Sequence, residues 1–309
     1  MVMSAVTFAS GLEGAFSAFK NGVGARALAM GGAFVAVCDD ATAMVWNPAG
    51  LAQLDDTRLT AMSVDLLGFG ANHRFVGLTT SFANLGIGLG WESMSASGDV
   101  LDFDGTILGS IKQSDNVIIG SLATNVLDVA MAGANVKYYM STLGENEAQG
   151  FGFDLGLLVS LGDTFVIGVN AIDLGGSAIT WESDAADTVT GLYKAGVAMK
   201  LADGRFVLAA DVDFDGVNPG DTHVGMEFKV IDELALRGGV VLVDSSFTNY
   251  YLTVGAGINV AGLYVDAAYL LNDTLELGAD THMLVLSAEF SLGALLGEDE
   301  PDVEPVGTE

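Results

Sequence analysis

From Phe151 onward the side chains sort by parity. Phe151, Phe153, Leu155, Leu157 and Val159 share one face of an extended chain, and Gly152, Asp154, Gly156 and Ser160 share the other. A period of two is the signature of a β-strand, whose successive side chains point to opposite sides. The same sorting returns where Phe206, Leu208, Ala210, Val212 and Phe214 oppose Ala209, Asp211 and Asp213. It returns again where Val224, Met226, Phe228 and Val230 oppose His223, Gly225, Glu227 and Lys229. One face stays apolar without a break, which is what a strand needs when that face meets lipid.

Composition bears on which medium that face meets. Half of the 309 residues are apolar, yet the formal charge is −29, and the mean hydropathy is +0.47. A disordered acidic chain is not so apolar, and a soluble domain of this hydropathy does not need so few basic residues. A membrane protein with acidic aqueous parts fits both. Glycine, Asp, Asn or Thr interrupts every apolar run, so no stretch reaches the roughly 18 residues of a transmembrane helix. The other arrangement that satisfies every backbone amide and carbonyl in lipid is a closed β-barrel. A soluble β-sandwich or β-helix with one solvated face is the competing fold, and the scarcity of charge on the apolar parity across so many segments weighs against it.

Strand-like segments of about ten residues fall near 57–67, 73–82, 85–93, 116–124, 126–140, 150–161, 164–174, 189–201, 205–214, 222–230, 233–243, 248–260, 263–271 and 282–292. The sequence therefore predicts an all-β, transmembrane antiparallel barrel of about 14 strands. Leu161-Gly162-Asp163, Ala202-Asp203-Gly204 and Ile231-Asp232 read as hairpin turns. Longer acidic connections are expected at 96–113, 182–187, 215–221 and 272–280, and alternating short and long joints place two kinds of loop on two rims. The polar parity assigns Lys137, Asp154, Lys194, Lys200, Asp211, Asp213, Glu227, Lys229, Arg237, Asp266 and Glu289 to the lumen, with both signs of charge facing one another. Leu158, Ile172, Val241 and Leu270 would give that lumen a greasy path.

Ahead of these strands lies a stretch whose chemistry is not repeated: Arg26-Ala27, Met30-Gly31-Gly32-Ala33, Ala36, Asp39-Asp40-Ala41 and Trp46-Asn47-Pro48-Ala49-Gly50-Leu51. Gly31-Gly32 lets the backbone turn where a Cβ would clash. Asp39 and Asp40 can cap the turn begun by Ala41, and Pro48 biases Asn47 to extended geometry. Such a segment is suited to filling a lumen, as a plug or as a gate. In its order of motifs it resembles the N-terminal signature of the FadL-like outer-membrane proteins, a superfamily of long-chain fatty-acid and aromatic-hydrocarbon channels that also includes the PorV/PorQ-type proteins of secretion systems. Trp46 before Asn47 is nearest the PorV-type branch. The resemblance implies fourteen strands and a hatch folded into the barrel from the periplasmic side, built on Arg26, Gly31, Gly32, Asp39, Asp40, Trp46, Asn47, Pro48 and Ala49. The expected domains are a hatch at 1–54, a barrel at 55–293 and an acidic flexible tail at 294–309.

Other constellations carry less. Asp211, Asp213, Asp215, Asn218 and Asp221 surround Gly216 in the manner of the first half of a calcium loop, but Thr222 stands where the bidentate Glu belongs; calcium is the candidate cation there. His73, His223 and His282 lack the spacing of a zinc site. Gly86, Gly88 and Gly90 lie in a strand pattern with no helix after them, so they read as glycines in a curved wall and not as a nucleotide loop. Cys38 is the only cysteine, which excludes an intrachain disulfide. Nothing pairs a nucleophile with a base, so no enzyme is expected, and the negative charge disfavours nucleic acid. Met1 to Leu12 has no basic start, so an export signal is not visible in it.

The expected function is passive uptake of hydrophobic or amphipathic small molecules across a bacterial outer membrane, with lipid as the surrounding partner. The alternative is a plugged barrel of the PorV type, a surface or assembly subunit that meets a protein partner or its own copies at the acidic loops.

Overall fold

A computed structural model describes residues 15–66, 71–102, 105–216, 218–245, 248–271 and 283–296. The predicted loop at 272–280, His282 and the tail from 297 on lie outside the described residues. Sixteen strands are present among them. They are β1 (Arg58–Leu66), β2 (Ala71–Phe82), β3 (Leu85–Leu101), β4 (Ile107–Leu127), β5 (Ala130–Leu143), β6 (Asn146–Leu161), β7 (Phe165–Ile172) and β8 (Ser177–Trp181). The second half adds β9 (Ala186–Val189), β10 (Leu192–Leu201), β11 (Phe206–Asp215), β12 (Asn218–Ile231), β13 (Leu234–Leu242), β14 (Tyr250–Val260), β15 (Leu263–Leu271) and β16 (Met283–Ser291). Fourteen of these close into one antiparallel barrel, because β1 pairs with β16, β5 with β6, and β7 with β10. The even count returns the last strand beside the first.

The parity read from the sequence is the parity of the wall. Phe151, Phe153, Leu155 and Leu157 are exposed on the outside of β6, and Gly152, Asp154 and Gly156 face in. Leu59, Leu78, Leu89, Leu122, Ile167, Met226, Val254 and Leu286 continue the belt around the barrel. This is the surface such a barrel presents to lipid. Among the described residues no helix is long and apolar enough to cross a membrane.

Four expectations need correction. The connection expected at 215–221 is not a long loop, because β11 and β12 pair up to Asp215↔Asn218. The stretch 96–113 is not a long loop, because its alternation continues and β3 and β4 pair from Leu85↔Thr124 up to Leu101↔Ile107; glycine, serine and aspartate there supply solvated strand faces above the membrane belt. The strand expected at 126–140 is divided by the turn after Leu127, so its first residues close β4 and its last belong to β5. The connection after β7 is a second hairpin. Asp173 (φ 50°), Gly175 (φ 77°) and Gly176 (φ 85°) make a left-handed break, after which β8 resumes pairing with β6 and β9 returns against β8. The short turns at 162–164, 202–205 and 232–233 share the rim where β1 begins and β16 ends.

Candidate functional site

The segment before β1 is buried within the ring of strands. Val23, Ala25, Met30, Phe34, Val35, Met44, Asn47 and Ala49 have essentially no exposure. Its helical turns at Ala25–Ala29, Ala43–Trp46 and Pro48–Gln53 are too short to stand alone, so the wall must hold them. The local chemistry follows the sequence reading. Gly31 and Gly32 take φ 68° and 77°, Asn47 is extended at φ −165° with its side-chain oxygen accepting from Ala49 N–H, and Asp40 accepts from the Thr42 amide and hydroxyl.

The wall answers the hatch with polar side chains aimed at its backbone and charges. Asp211 on β11 accepts from the Phe34 and Val35 amides at 2.6 and 2.9 Å. Glu289 on β16 accepts from Ala41 N–H at 2.9 Å, and Ser287 from Ala25 N–H at 3.0 Å. Asn135 donates to Met44 C=O at 2.8 Å, Asn170 to Trp46 C=O at 2.9 Å, Thr253 to Ala29 C=O at 2.8 Å, and His223 Nδ1 to Gly31 C=O at 2.6 Å. Arg26 joins Glu227 through Nε and Nη2 at 2.9 and 3.0 Å, and Asp39 and Asp40 through Nη1 at 2.6 and 3.1 Å. Arg237 bonds the same Glu227 and also Asp266, both at 2.6 Å. Burial disfavours the Arg26 charge, but Asp39, Glu227 and Asp40 outweigh it and hold its pKa well above the ordinary value. Burial likewise opposes the Asp39 carboxylate, and Arg26 and Lys200 overcome it, leaving its pKa below the usual range.

Close approach is the second device. A Cβ on Gly86 would strike the Leu51 carbonyl, on Gly133 the Pro48 backbone, on Gly156 Asn47, on Gly168 the Val35 carbonyl, and on Gly225 the Met30 carbonyl. The inward glycines therefore serve contact with the hatch as well as curvature, which gives Gly86, Gly88 and Gly90 their physical reason.

The hatch divides the lumen. Toward the short-turn rim lies an open basin of about 290 Å³, lined by Arg26, Arg58, Glu227, Arg237, Asp266 and Glu289 among others. Lys229 is exposed and lines its mouth. On the other side an apolar cluster of Phe16, Phe19, Val117, Ile119, Tyr139, Ile179 and Val189 fills the space below β8 and β9. The cavity left there is about 40 Å³. Phe16 packs 4.7 Å from Tyr139 with the rings tilted, and Phe19 meets His73 edge-on at 6.0 Å, so the chain's own rings occupy the compartment. Ala15 N–H bonds Thr188 C=O on β9, which puts residue 15 on the long-loop side. A third cavity, about 30 Å³, lies beside Lys194, Asp213, His223 and Tyr251.

The predicted lumen residues are brought together in pairs. Lys137 bridges Asp154 and Asp173, each at 2.8 Å, and Lys194 bonds both oxygens of Asp213 at 2.7 Å. Leu158, Val241 and Leu270 are buried inside, and Ile172 lines the 40 Å³ cavity. Three of the five residues of the calcium reading have other partners. Asp211 serves the hatch amides, Asp213 serves Lys194, and Asp221 accepts from Asp244 N–H. Among the described residues no group of three or more His, Cys, Asp or Glu is placed to hold a metal. Trp46 is a packing residue whose indole N–H donates to Val23 C=O at 2.8 Å and whose ring meets Phe34. Cys38 is buried, and burial followed by the nearby Asp40 pushes its thiol well up, so it is unreactive. Sequence reasoning missed Asn135, Asn170, Thr253 and Ser287. Their signal was polarity at inward positions of otherwise apolar strands.

No protein-family model matches the sequence, and no curated protein does. Solved structures do match over most of the chain. The toluene transporter TbuX of Ralstonia pickettii aligns with a TM-score of 0.65 at 15% identity, covering 88% of this chain and 98% of that one. The toluene transporter TodX of P. putida gives 0.64 at 14%, covering 88% and 99%. A FadL homologue of Pseudomonas aeruginosa gives 0.59 at 14%, covering 84% and 95%. The fold is thus the FadL-like barrel that the hatch motif resembled; nothing in these matches supports the PorV branch.

Proposed function

We propose that this chain is a bacterial outer-membrane barrel for passive uptake of hydrophobic small molecules, and no covalent chemistry. The observation that carries the reading is the apolar compartment around Phe16, Phe19, Val117, Ile119, Tyr139 and Val189, set on the long-loop side of the hatch and inside an apolar-belted wall. In outer-membrane barrels the long loops face outward and the short turns face the periplasm. A molecule arriving from outside meets aromatic and aliphatic side chains first, and the charged basin lies beyond the hatch. Burial of its apolar surface provides the pull, and displacement of the two phenyl rings provides the room. TbuX and TodX are toluene transporters, which supports a greasy cargo. Residues Arg26, Gly31, Gly32, Asp39, Asp40, Trp46, Asn47, Pro48 and Ala49 act in this reading as the closed hatch. Proteoliposomes carrying the protein should take up toluene faster than empty liposomes. Equal rates would remove the proposal.

A further inference from the structure

Lys20 sits where the two small cavities of the long-loop side approach each other, and it lines both. Its Nζ is shut off from solvent and has no hydrogen-bond partner among the described residues. A buried donor of this kind is costly unless an acceptor meets it, and burial lowers its pKa. The carboxylates that line the two cavities are engaged. Asp173 takes Lys137, Tyr139 OH and Ser177 Oγ at 2.7–2.8 Å. Asp154 takes Lys137, Asn135 and Asp173 N–H, Asp213 takes Lys194, and Glu92 takes His73 Nε2 at 2.7 Å.

Charge decides what kind of acceptor fits. Lys20 and Lys137 together balance Asp154 and Asp173, Lys194 balances Asp213, and the Glu92 carboxylate lines the same cavity beside His73. An added carboxylate would bring an uncompensated negative charge into a site with low dielectric. A neutral oxygen offers the lone pair without the charge. Shape decides the rest. A cavity of about 40 Å³ is well below the roughly 150 Å³ in which an engineered protein cavity takes benzene, so a ring enters by replacing one already there. Phe16 and Phe19, 5.7 Å apart, lie within the same short helical turn region as Lys20 and are the rings available. Tyr139 and Trp46 remain to pack against the newcomer.

We propose that the compartment accepts an arene bearing a neutral oxygen acceptor, an aryl ketone or a phenol, whose ring takes the place of Phe16 or Phe19 and whose oxygen accepts from Lys20 Nζ. This rests on the uptake reading and narrows its cargo beyond plain hydrocarbon. A site built to bond an oxygen discriminates strongly against the analogue without it, because its own buried donor is then left unmet.

The test is calorimetric titration of the full chain in detergent at pH 7 with acetophenone, ethylbenzene and benzoate. Acetophenone should bind at least tenfold more tightly than either of the others. Lys20→Met should bring acetophenone to the level of ethylbenzene and leave ethylbenzene unchanged. Equal affinities of acetophenone and ethylbenzene on the unaltered protein, or a preference that survives Lys20→Met, would overturn the proposal, and benzoate binding tightest would overturn the charge argument within it. The unaltered protein decides the main question even if the variant does not fold. Uptake of ethylbenzene into proteoliposomes without an acetophenone preference sinks this inference and spares the parent reading. Failure to take up any arene sinks both.

Discussion

The wall from β5 to β16 and the wall from β2 to β4 hold the same hatch by different means. On the first, Asn135, Asn170, Asp211, His223, Glu227, Thr253, Ser287 and Glu289 each bond a hatch atom. On the second, the Met44 side chain faces Gly77, Gly88 and Gly90, the Leu51 side chain faces Gly88 and only at Gly86 does hatch backbone, the Leu51 carbonyl, come close, and the buried hydroxyls of Thr79 and Ser121 have no hydrogen-bond partner. Directional bonds fix position, whereas apolar contact tolerates sliding at modest cost. The hatch is therefore anchored along one arc and rests on a smoother surface along the other.

The largest effect should come from cutting the anchored arc. Arg26→Met would leave Asp39, Asp40 and Glu227 facing one another without their shared cation, a loss of about 3–5 kcal/mol for a partly buried charge cluster. Chemical denaturation in detergent should show a much lower midpoint, and protease should cut residues 22–53 sooner; an unchanged midpoint would refute the anchor. A smaller and more direct comparison uses two glycines. Alanine at Gly225 meets the Met30 carbonyl, which is backbone held against β12 and β13, while alanine at Gly90 meets Met44 Sδ at 2.6 Å, the far end of a flexible side chain. Gly225→Ala should cost about 1–3 kcal/mol and Gly90→Ala about 1 kcal/mol or less. Equal costs would erase the distinction between the arcs. Smallest of all, Ser121→Ala removes an unpartnered buried hydroxyl and should be neutral or stabilising by up to about 1 kcal/mol. A clear loss of stability would show that this hydroxyl has a partner and that the second arc is tied as well.

The barrel was legible because its rule is local: Phe151 to Val159 declare two faces without reference to anything distant. Strand ends were less so, since β3 and β4 outrun the membrane belt on Ser95, Ser97, Gly109 and Ser110, where solvated strand and loop have the same composition. The hatch could be read as an irregular segment, and Gly31, Gly32 and Asn47 adopt the geometry their chemistry favours. Its seat could not. Asp211 reads equally as a calcium ligand or a lumen charge until Phe34 and Val35, some 176 residues away in sequence, are brought to it. Phe16 and Lys20 carried no pattern at all, because their roles depend on a cavity that β4, β5 and β9 create together.

The bonds from Ala25 to Ser287 and from Ala41 to Glu289 span 262 and 248 positions. Since Ala25 and Ala41 are tied to β16, the hatch cannot be fully seated before β16 closes the ring. Pairing of such remote partners must bear the entropy of a very long loop. Assembly should accordingly be slow and finish in one cooperative closing step, with the hatch and β16 locking each other.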